Sequence, residues 1–231
     1  MNVNDMYRIC QFAVNKAQNG YLTPSEFNLV INQAQVSYQD YLLGEFQQYQ
    51  YGRPQARITY SQNENIRQRL TPLIAEATLT INSTSGEASY PNDYVQVDSI
   101  ITSDFKRVRY AQQDSLYSYY NSEIDPIATN PIYLIESGKF QFYPKTLGTA
   151  ILTYIKDAPE IVWAYTTVSG RPVYAPTQTG VGVTPTTGTV QPVWDNVDLL
   201  EIITRALKLI GLNLQDGMVE QYANQITQTG Q

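Results

Sequence analysis

The sequence predicts an α+β fold: an N-terminal helical hairpin, a central antiparallel β-sheet or small sandwich with a projecting hairpin arm, and a C-terminal helical pair. Three observations lead to this prediction. Apolar residues recur at helical spacing in both terminal parts, they alternate in the centre, and the stretch 165–192 is rich in Gly, Pro, Thr and Val. The 231 residues are expected to form one domain, with a helical part (1–72), a β core (73–164), an arm (165–193) and C-terminal helices (194–231).

Two neighbouring helices open the chain. Apolar stripes predict one helix over Asn4–Asn19 and a second that continues to about Gln48. Thr23, Pro24 and Glu26 supply the N-cap, the first-turn proline and the capping-box acid of the second helix. The short connection between them predicts a helical hairpin.

The centre of the chain carries alternating apolar runs. Ile132–Ile135 and Phe140–Tyr143 flank a short Ser-Gly link, which predicts a β-hairpin. Ala150–Ile155 is predicted to add the third strand of a meander, with helices covering its apolar face. The other predicted elements here are strands at Ile74–Asn82, Val95–Ile101 and Phe105–Tyr110, and a short helix at Gln112–Asn121.

A long stretch that is rich in Gly, Pro, Thr and Val and almost free of charge follows at Tyr165–Pro192. A structureless loop of this length is uncommon in a compact domain, so the prediction is a projecting hairpin with a mobile tip and unpaired strand edges. A disordered linker is the rival interpretation. Beyond it, Asp195–Gly211 is apolar nearly all round and is predicted to be a helix buried on several sides. A final short helix is predicted at Asp216–Thr227.

The composition limits the classes of function. A net charge of −6 and a pI near 4.7 argue against a chain that wraps nucleic acid by itself. One local basic stretch contains Arg53, Arg57, Arg67 and Arg69, where a solvated face or subunit salt bridges are favoured over phosphate contacts. The 19 tyrosines suit protein–protein contacts, and they also serve as ordinary strand formers.

Several catalytic and metal sites are excluded or disfavoured by the residues present. There is no histidine, so imidazole triads and His-ligated metals are excluded. The loop Asn15–Glu26 has EF-hand-like spacing, but Ala17 stands at a ligand position, so a capped helix turn is favoured over calcium. Two carboxylate pairs, Glu123 with Asp125 and Asp157 with Glu160, fit a glycosidase only weakly, because turns next to prolines explain them.

Motifs for nucleotide binding and for serine hydrolases are also missing. The sequence contains no G-x-x-x-x-G-K-[ST], no G-x-G-x-x-G that opens a helix and no G-x-S-x-G. The single cysteine, Cys10, lies at an apolar helix position, and no basic-apolar leader or membrane-length run stands out. We therefore expect no cofactor, no small-molecule substrate, no membrane and assembly in a reducing cytoplasm.

Three short motifs resemble a known family. They are the pentapeptide Tyr90–Tyr94, the spaced run from Pro131 through Pro144 to Trp163, and Trp194-Asp195-Asn196 leading into a long helix. In these features the chain resembles the ring, or adaptor, proteins of the head-to-tail connector in tailed bacteriophages, especially of the crAss-like short-tailed type, and is distantly similar to tail tubular protein A. It departs from that pattern in the long arm.

The resemblance implies a structural virion protein without catalysis. Such a protein assembles in the host cytoplasm as a ring, usually of twelve subunits, below the portal protein, contacts other connector or tail proteins, and encloses DNA only as channel cargo. A ring needs two different complementary surfaces on each subunit, and the helical hairpin and the arm are candidates. The candidate partner contacts are Tyr174, Thr177, Val181, Val183, Thr184, Thr189, Arg53 and Arg57.

Two other classes of function stay open. A tail-associated binding module for a receptor or carbohydrate would use the tyrosines around Tyr117, Tyr119 and Tyr120. A cell-wall hydrolase would need one of the carboxylate pairs.

Overall fold

The computed structural model describes residues 1–16, 21–47, 64–120 and 125–213. Its fold is mixed α+β, with helices toward both ends and sheets between them, as predicted. The chain divides into two compact units: residues 1–72 together with 158–231, and residues 73–157. The first boundary coincides with the predicted end of the helical part, whereas the arm belongs to the unit that contains the helices.

The unit 73–157 is a small β-sandwich. One sheet contains β1 (Ile74–Thr80), β7 (Thr149–Lys156) and β3 (Tyr94–Thr102) in that order. The other contains β2 (Glu87–Ser89), β6 (Lys139–Tyr143), β5 (Ile132–Glu136) and β4 (Arg109–Tyr110). Both sheets contribute to one buried cluster, which includes Leu79, Ile100, Leu152, Tyr133, Phe140 and Phe142. The sandwich alternative of the prediction is therefore the observed one.

The predicted meander is wrong in its third strand. The hairpin β5–β6 forms as predicted, closed by Ser137 and Gly138 with φ of 44° and 76°. However, β7 leaves that sheet and lies between β1 and β3, antiparallel to both. The physical reason is packing: each sheet buries its apolar face against the other, so the helices are not needed as a cover on that face.

The opposite face of β5 packs against a helix. Because side chains alternate along a strand, Ile132 and Leu134 lie on the side away from Tyr133. They form a second cluster with Ala111 and with Leu116 of α4 (Gln113–Tyr120). The short helix predicted here is confirmed.

The described part of the other unit contains four helices, which are α1 (Val3–Lys16), α2 (Pro24–Gln47), α3 (residues 64–70) and α5 (Asn196–Asn213). Three of them, α1, α2 and α5, form where the apolar stripes predict them. The capping box of α2 is confirmed: the Glu26 carboxylate accepts hydrogen bonds from the Thr23 N–H at 2.9 Å and the Thr23 hydroxyl at 2.7 Å. The predicted final helix Asp216–Thr227 lies outside the described residues.

The helix α5 is buried on one side only. Its Leu199, Ile202 and Ile203 are buried and α5 packs against α2. Val197 and Leu200, by contrast, are 67% and 57% exposed, which is less burial than the all-round apolar pattern predicts. Thus one apolar row of this helix faces away from the core.

The arm is a small sheet rather than one long hairpin. A tight hairpin joins β8 (Tyr165–Val168) to β9 (Arg171–Tyr174) through Ser169 and Gly170, with φ of 51° and 77°. The following chain then folds back, so that β10 (Val183–Thr184) pairs with the start of β8. The prediction of one hairpin spanning the whole stretch is therefore corrected.

Candidate interaction surface

An aromatic stack fixes the base of the arm. The ring of Trp163 lies 5.9 Å from that of Tyr165 and 5.7 Å from that of Tyr174, both in stacked orientation. On its other side Trp163 meets Tyr7 of α1 at 4.3 Å, and its Nε1 donates to Oδ1 of Asn4 at 3.2 Å. The hairpin thus begins from a buried side chain, since Trp163 is only 2% exposed.

A row of side-chain amides on α2 holds the segment that leads into the arm. Asn32 bonds both backbone groups of Ile161, at 2.9 Å through Nδ2 and 2.8 Å through Oδ1. Asn28 bonds both backbone groups of Trp163 in the same way, at 3.2 and 2.8 Å. Gln35 Nε2 donates to the Pro159 carbonyl at 3.0 Å. These amides therefore take the place of a neighbouring strand.

The other edge of this segment is paired as well. The N–H groups of Val162 and Val190 each donate to the other residue's carbonyl, at 3.1 and 2.9 Å. Backbone groups of successive residues in an extended chain point in opposite directions. Residues 161 and 163 therefore bond to α2 and residue 162 bonds to the returning chain. All six backbone groups of this buried stretch are satisfied.

The returning chain is folded tightly onto the hairpin. The Thr189 hydroxyl donates to the Ala175 carbonyl at 2.8 Å and accepts from the Ala164 N–H at 3.2 Å. Val183 is buried with these two alanines in a small cluster of their own. Gly188 has a φ of +82°, and a Cβ there would lie 2.6 Å from Thr179 Cγ2, so only glycine fits.

The predicted contact residues of the arm fall into two groups. Tyr174, Val183 and Thr189 hold the arm together, through the aromatic stack, the apolar cluster and the hydroxyl bonds described above. Thr177, Val181 and Thr184 are exposed, and Val181 is fully so. Arg53 and Arg57 lie outside the described residues. The structure therefore leaves three of the six arm residues accessible to a partner.

The exposed surface of the arm is almost uncharged and includes three valines. Val168 and Val173 are 55% and 48% exposed, in addition to Val181. Arg171 is the one charged residue between Tyr165 and Val193. Exposed valines on a rigid and nearly neutral element are typical of a surface that contacts another protein.

Proline limits strand addition at the edge of the arm. Ala175 N–H bonds to Ala164 O, so the alternation of an antiparallel pair directs the backbone of Pro172 and Tyr174 to the outer side of β9. Pro172 has no N–H to offer there. β9 is therefore better suited to contact a partner through its side chains than to pair its edge with a strand of another chain.

A buried carboxylate lies between the helices. Asp198 of α5 is 2% exposed and accepts a hydrogen bond of 2.6 Å from the Tyr38 hydroxyl of α2. Arg69 Nη1 lies 3.8 Å from the same carboxylate and 3.4 Å from that hydroxyl. Burial, and next the bond to Asp198, raise the pKa of Tyr38. The tyrosine therefore stays a donor at neutral pH, and the group ties α2 to α5.

The candidate catalytic and metal residues do not assemble in the described part of the chain. Asp125, Asp157 and Glu160 are exposed, and Glu123 lies outside the described residues. Across residues 1–16, 21–47, 64–120 and 125–213, no group of three or more Cys, Asp or Glu side chains is placed to hold a metal ion. No helix within these ranges is long and apolar enough to cross a membrane.

The tyrosines proposed for a binding module do not present a described aromatic surface. Tyr119 is half-buried and packs against the cluster around Leu116. The side chains of Tyr117 and Tyr120 lie outside the described part.

Sequence reasoning missed two features. The first is the row of amides Asn28, Asn32 and Gln35, whose spacing of three to four residues places them on one face of α2. This spacing is visible in the sequence, but it does not identify the backbone groups to which the amides bond. The second is a basic strip in the β unit, where Arg107 and Arg109 flank the buried Val108 and Phe105 is 80% exposed. Its signal is the alternation of cationic and apolar residues.

The motifs behind the family resemblance serve the fold. Tyr90 packs against Tyr94 and Phe140, with ring centroids 4.5 and 4.4 Å away. Asp93 accepts from the Tyr154 hydroxyl at 2.9 Å. No model of a known protein family matches the chain, and a search of curated proteins found none similar to it.

Proposed function

We propose that this chain is a structural virion protein that assembles with its own copies into a ring in the head-to-tail connector of a tailed bacteriophage. The ring lies below the portal protein, continues the DNA channel and joins the tail. The family resemblance of the three motifs is the reason for naming this assembly. The arm is the observation that carries the proposal, because it combines a rigid base with a nearly neutral surface on which three valines are exposed.

A closed ring also needs a second surface that differs from the first. In our proposal the helical hairpin supplies it. Leu29 and Val36 lie seven residues apart on α2, hence on one helix face, and are 73% and 47% exposed. The arm of one subunit, through Val181, would contact this face of the next. Such a head-to-tail contact closes into a ring when its rotation allows.

Native mass spectrometry of the full chain, alone and with its portal protein, tests ring formation. The expected result is a closed oligomer with a single dominant copy number. Val181→Asp and Leu29→Asp should each reduce it to monomers, because either change places a charge in an apolar contact. Thr84→Asp and Gln112→Asp add the same charge at exposed positions in the unit 73–157 and should leave the ring intact.

Mixing the two disrupted variants tests the head-to-tail geometry. The Leu29→Asp subunit keeps a working arm and the Val181→Asp subunit keeps a working helix face, so the mixture should give one-to-one dimers and no ring. A wild-type chain that stays monomeric with and without portal protein would contradict the proposal. If that monomer bound glycans, the binding-module interpretation would replace it.

A further inference from the structure

The basic strip of the β unit comprises Phe105, Lys106, Arg107 and Arg109. Val108 between the arginines is 3% exposed and belongs to the sandwich core, and its N–H bonds to the Ile100 carbonyl at 2.9 Å. Alternate residues of an extended chain face the same way, so Arg107 and Arg109 lie on the side opposite Val108, while Phe105 and Lys106 belong to the turn that precedes them. Phe105, Arg107 and Arg109 are exposed. The strip thus begins in a turn and continues along an extended segment that ends in the edge strand β4.

The cations of the strip lack the partners that others have. Within the described ranges, ion pairs join Arg69 to Asp198, Lys139 to Glu87 and Arg205 to Glu201. None of these pairs includes Lys106, Arg107 or Arg109. The one acidic neighbour in the same turn is the exposed Asp104. Three cations in four residues therefore form a local positive surface on a chain of net charge −6.

Phe105 has a left-handed backbone conformation, which is unfavourable for a residue with a bulky side chain. Thr102 N–H bonds to Lys106 O at 2.8 Å and Phe105 N–H to Thr102 O at 2.9 Å, which closes a three-residue turn. The last residue of this turn is left-handed, with a φ of 58° at Phe105, where glycine or asparagine is usual. The ring is also 80% exposed. Neither backbone preference nor packing explains an aromatic residue here, and strain of this kind is typical of functional positions.

We propose that the basic strip binds a single-stranded segment of nucleic acid, with the cations on phosphates and one base stacked on Phe105. Alternate residues of a strand are about 6.6 Å apart, and a nucleic-acid strand carries a phosphate about every 3.4 Å of axis. Arg107 and Arg109 would therefore meet phosphates two nucleotides apart. Exposed aromatic rings beside cations are what sequence-independent single-strand binding uses. This inference is independent of the proposed ring.

Fluorescence anisotropy with labelled 20-nucleotide oligothymidylate and the full chain at low salt tests the proposal. Binding is expected with a slope of log K against log salt of about −2, as three cations predict for a single strand. The double variant Arg107→Gln, Arg109→Gln should weaken binding at least tenfold and reduce the magnitude of the slope to less than about 1. The double variant Arg107→Lys, Arg109→Lys should retain most of the affinity. The matched control Arg8→Gln, Lys208→Gln also removes two exposed charges and should stay within twofold of wild type.

The role of Phe105 has its own test. Phe105→Gly should weaken oligothymidylate binding at least fivefold, since base stacking is lost, and leave a duplex of the same length within twofold. The same variant should unfold at a higher temperature than wild type, because glycine accepts the positive φ. That result separates lost stacking from lost folding. Absence of binding at 20 mM salt, or equal loss in the Arg8/Lys208 control, would overturn the proposal and leave the ring measurements unaffected.

Discussion

Asn32 of α2 pairs with Ile161 as a neighbouring strand would: its Nδ2 donates to the Ile161 carbonyl at 2.9 Å and its Oδ1 accepts from the Ile161 N–H at 2.8 Å. Ile161 is completely buried, so no solvent replaces these bonds. Asn28 repeats the arrangement at Trp163. A helix therefore positions the extended chain from which the arm begins, and the stability of the arm depends on two amides.

We expect Asn32→Ala to lower the free energy of unfolding by about 2–6 kcal/mol. It leaves a buried N–H and a buried carbonyl unpaired, and each such group costs about 1–3 kcal/mol. Urea denaturation followed by tryptophan fluorescence measures the change, because Trp163 lies two residues from Ile161. Gln33→Ala, at the exposed neighbouring position, should stay within about 0.5 kcal/mol of wild type. Equal stability of the two variants would contradict the role given to the amide pair.

A pair of glycines in the arm separates backbone strain from steric fit. Gly188→Ala should destabilise the arm by more than Gly180→Ala, although both have positive φ, of 82° and 92°. At Gly188 the added Cβ would meet the Gln178 carbonyl at 2.9 Å, whereas nothing lies within 4 Å of a Cβ at Gly180. Each substitution adds about 1 kcal/mol of backbone strain, so the excess at Gly188 reports the close contact.

Limited proteolysis provides the measurement for this pair. The Gly188→Ala arm should be cleaved faster than the Gly180→Ala arm, which in turn should be cleaved several-fold faster than wild type because of its backbone strain. Identical cleavage rates for the two variants would mean that the chain around residues 178–188 relaxes freely, contrary to the tight fold described here.

Alkaline pH should destabilise the protein. Burial raises the pKa of Tyr133 to about 12 and that of the Cys10 thiol to about 12, and burial with the Asp198 bond raises that of Tyr38. A folded pKa above the unfolded value means that the stabilisation is complete below the unfolded pKa and is lost as pH rises through the folded one. For Cys10 and Tyr133 those unfolded values are about 9 and 10.

Urea midpoints measured from pH 8 to 12 check this expectation. Stability should be level up to about pH 9 and then fall, with each affected group adding about 1.4 kcal/mol per pH unit to the slope. Tyr133→Phe removes one ionisable group and should make the decline above pH 10 less steep. A midpoint that stays constant to pH 12 would show that these groups titrate normally in the folded chain.

Much of the local structure could be predicted from the sequence. The stripes of α1, α2 and α5 and the Ser137-Gly138 turn depend on contacts within a few residues, so spacing and turn chemistry are sufficient. The sequence pattern predicts a hairpin in the arm, as observed. It does not predict that the chain folds back onto the hairpin, because Val183 and Thr189 are held by partners far from them in sequence. Of the candidate contact residues, pattern alone did not separate the accessible Val181 from the buried Val183.

Local residue patterns specify the type and order of most of the elements, and the composition gives the acidic charge and the absence of histidine. Long-range contacts place β7 between β1 and β3 and bond the Asn28 and Asn32 amides to the chain at residues 161–163. They also leave Arg107 and Arg109 exposed close to Phe105. The reason is that an alternating strand carries apolar residues suited to several partners. Only the combined burial of both sheets selects one pairing.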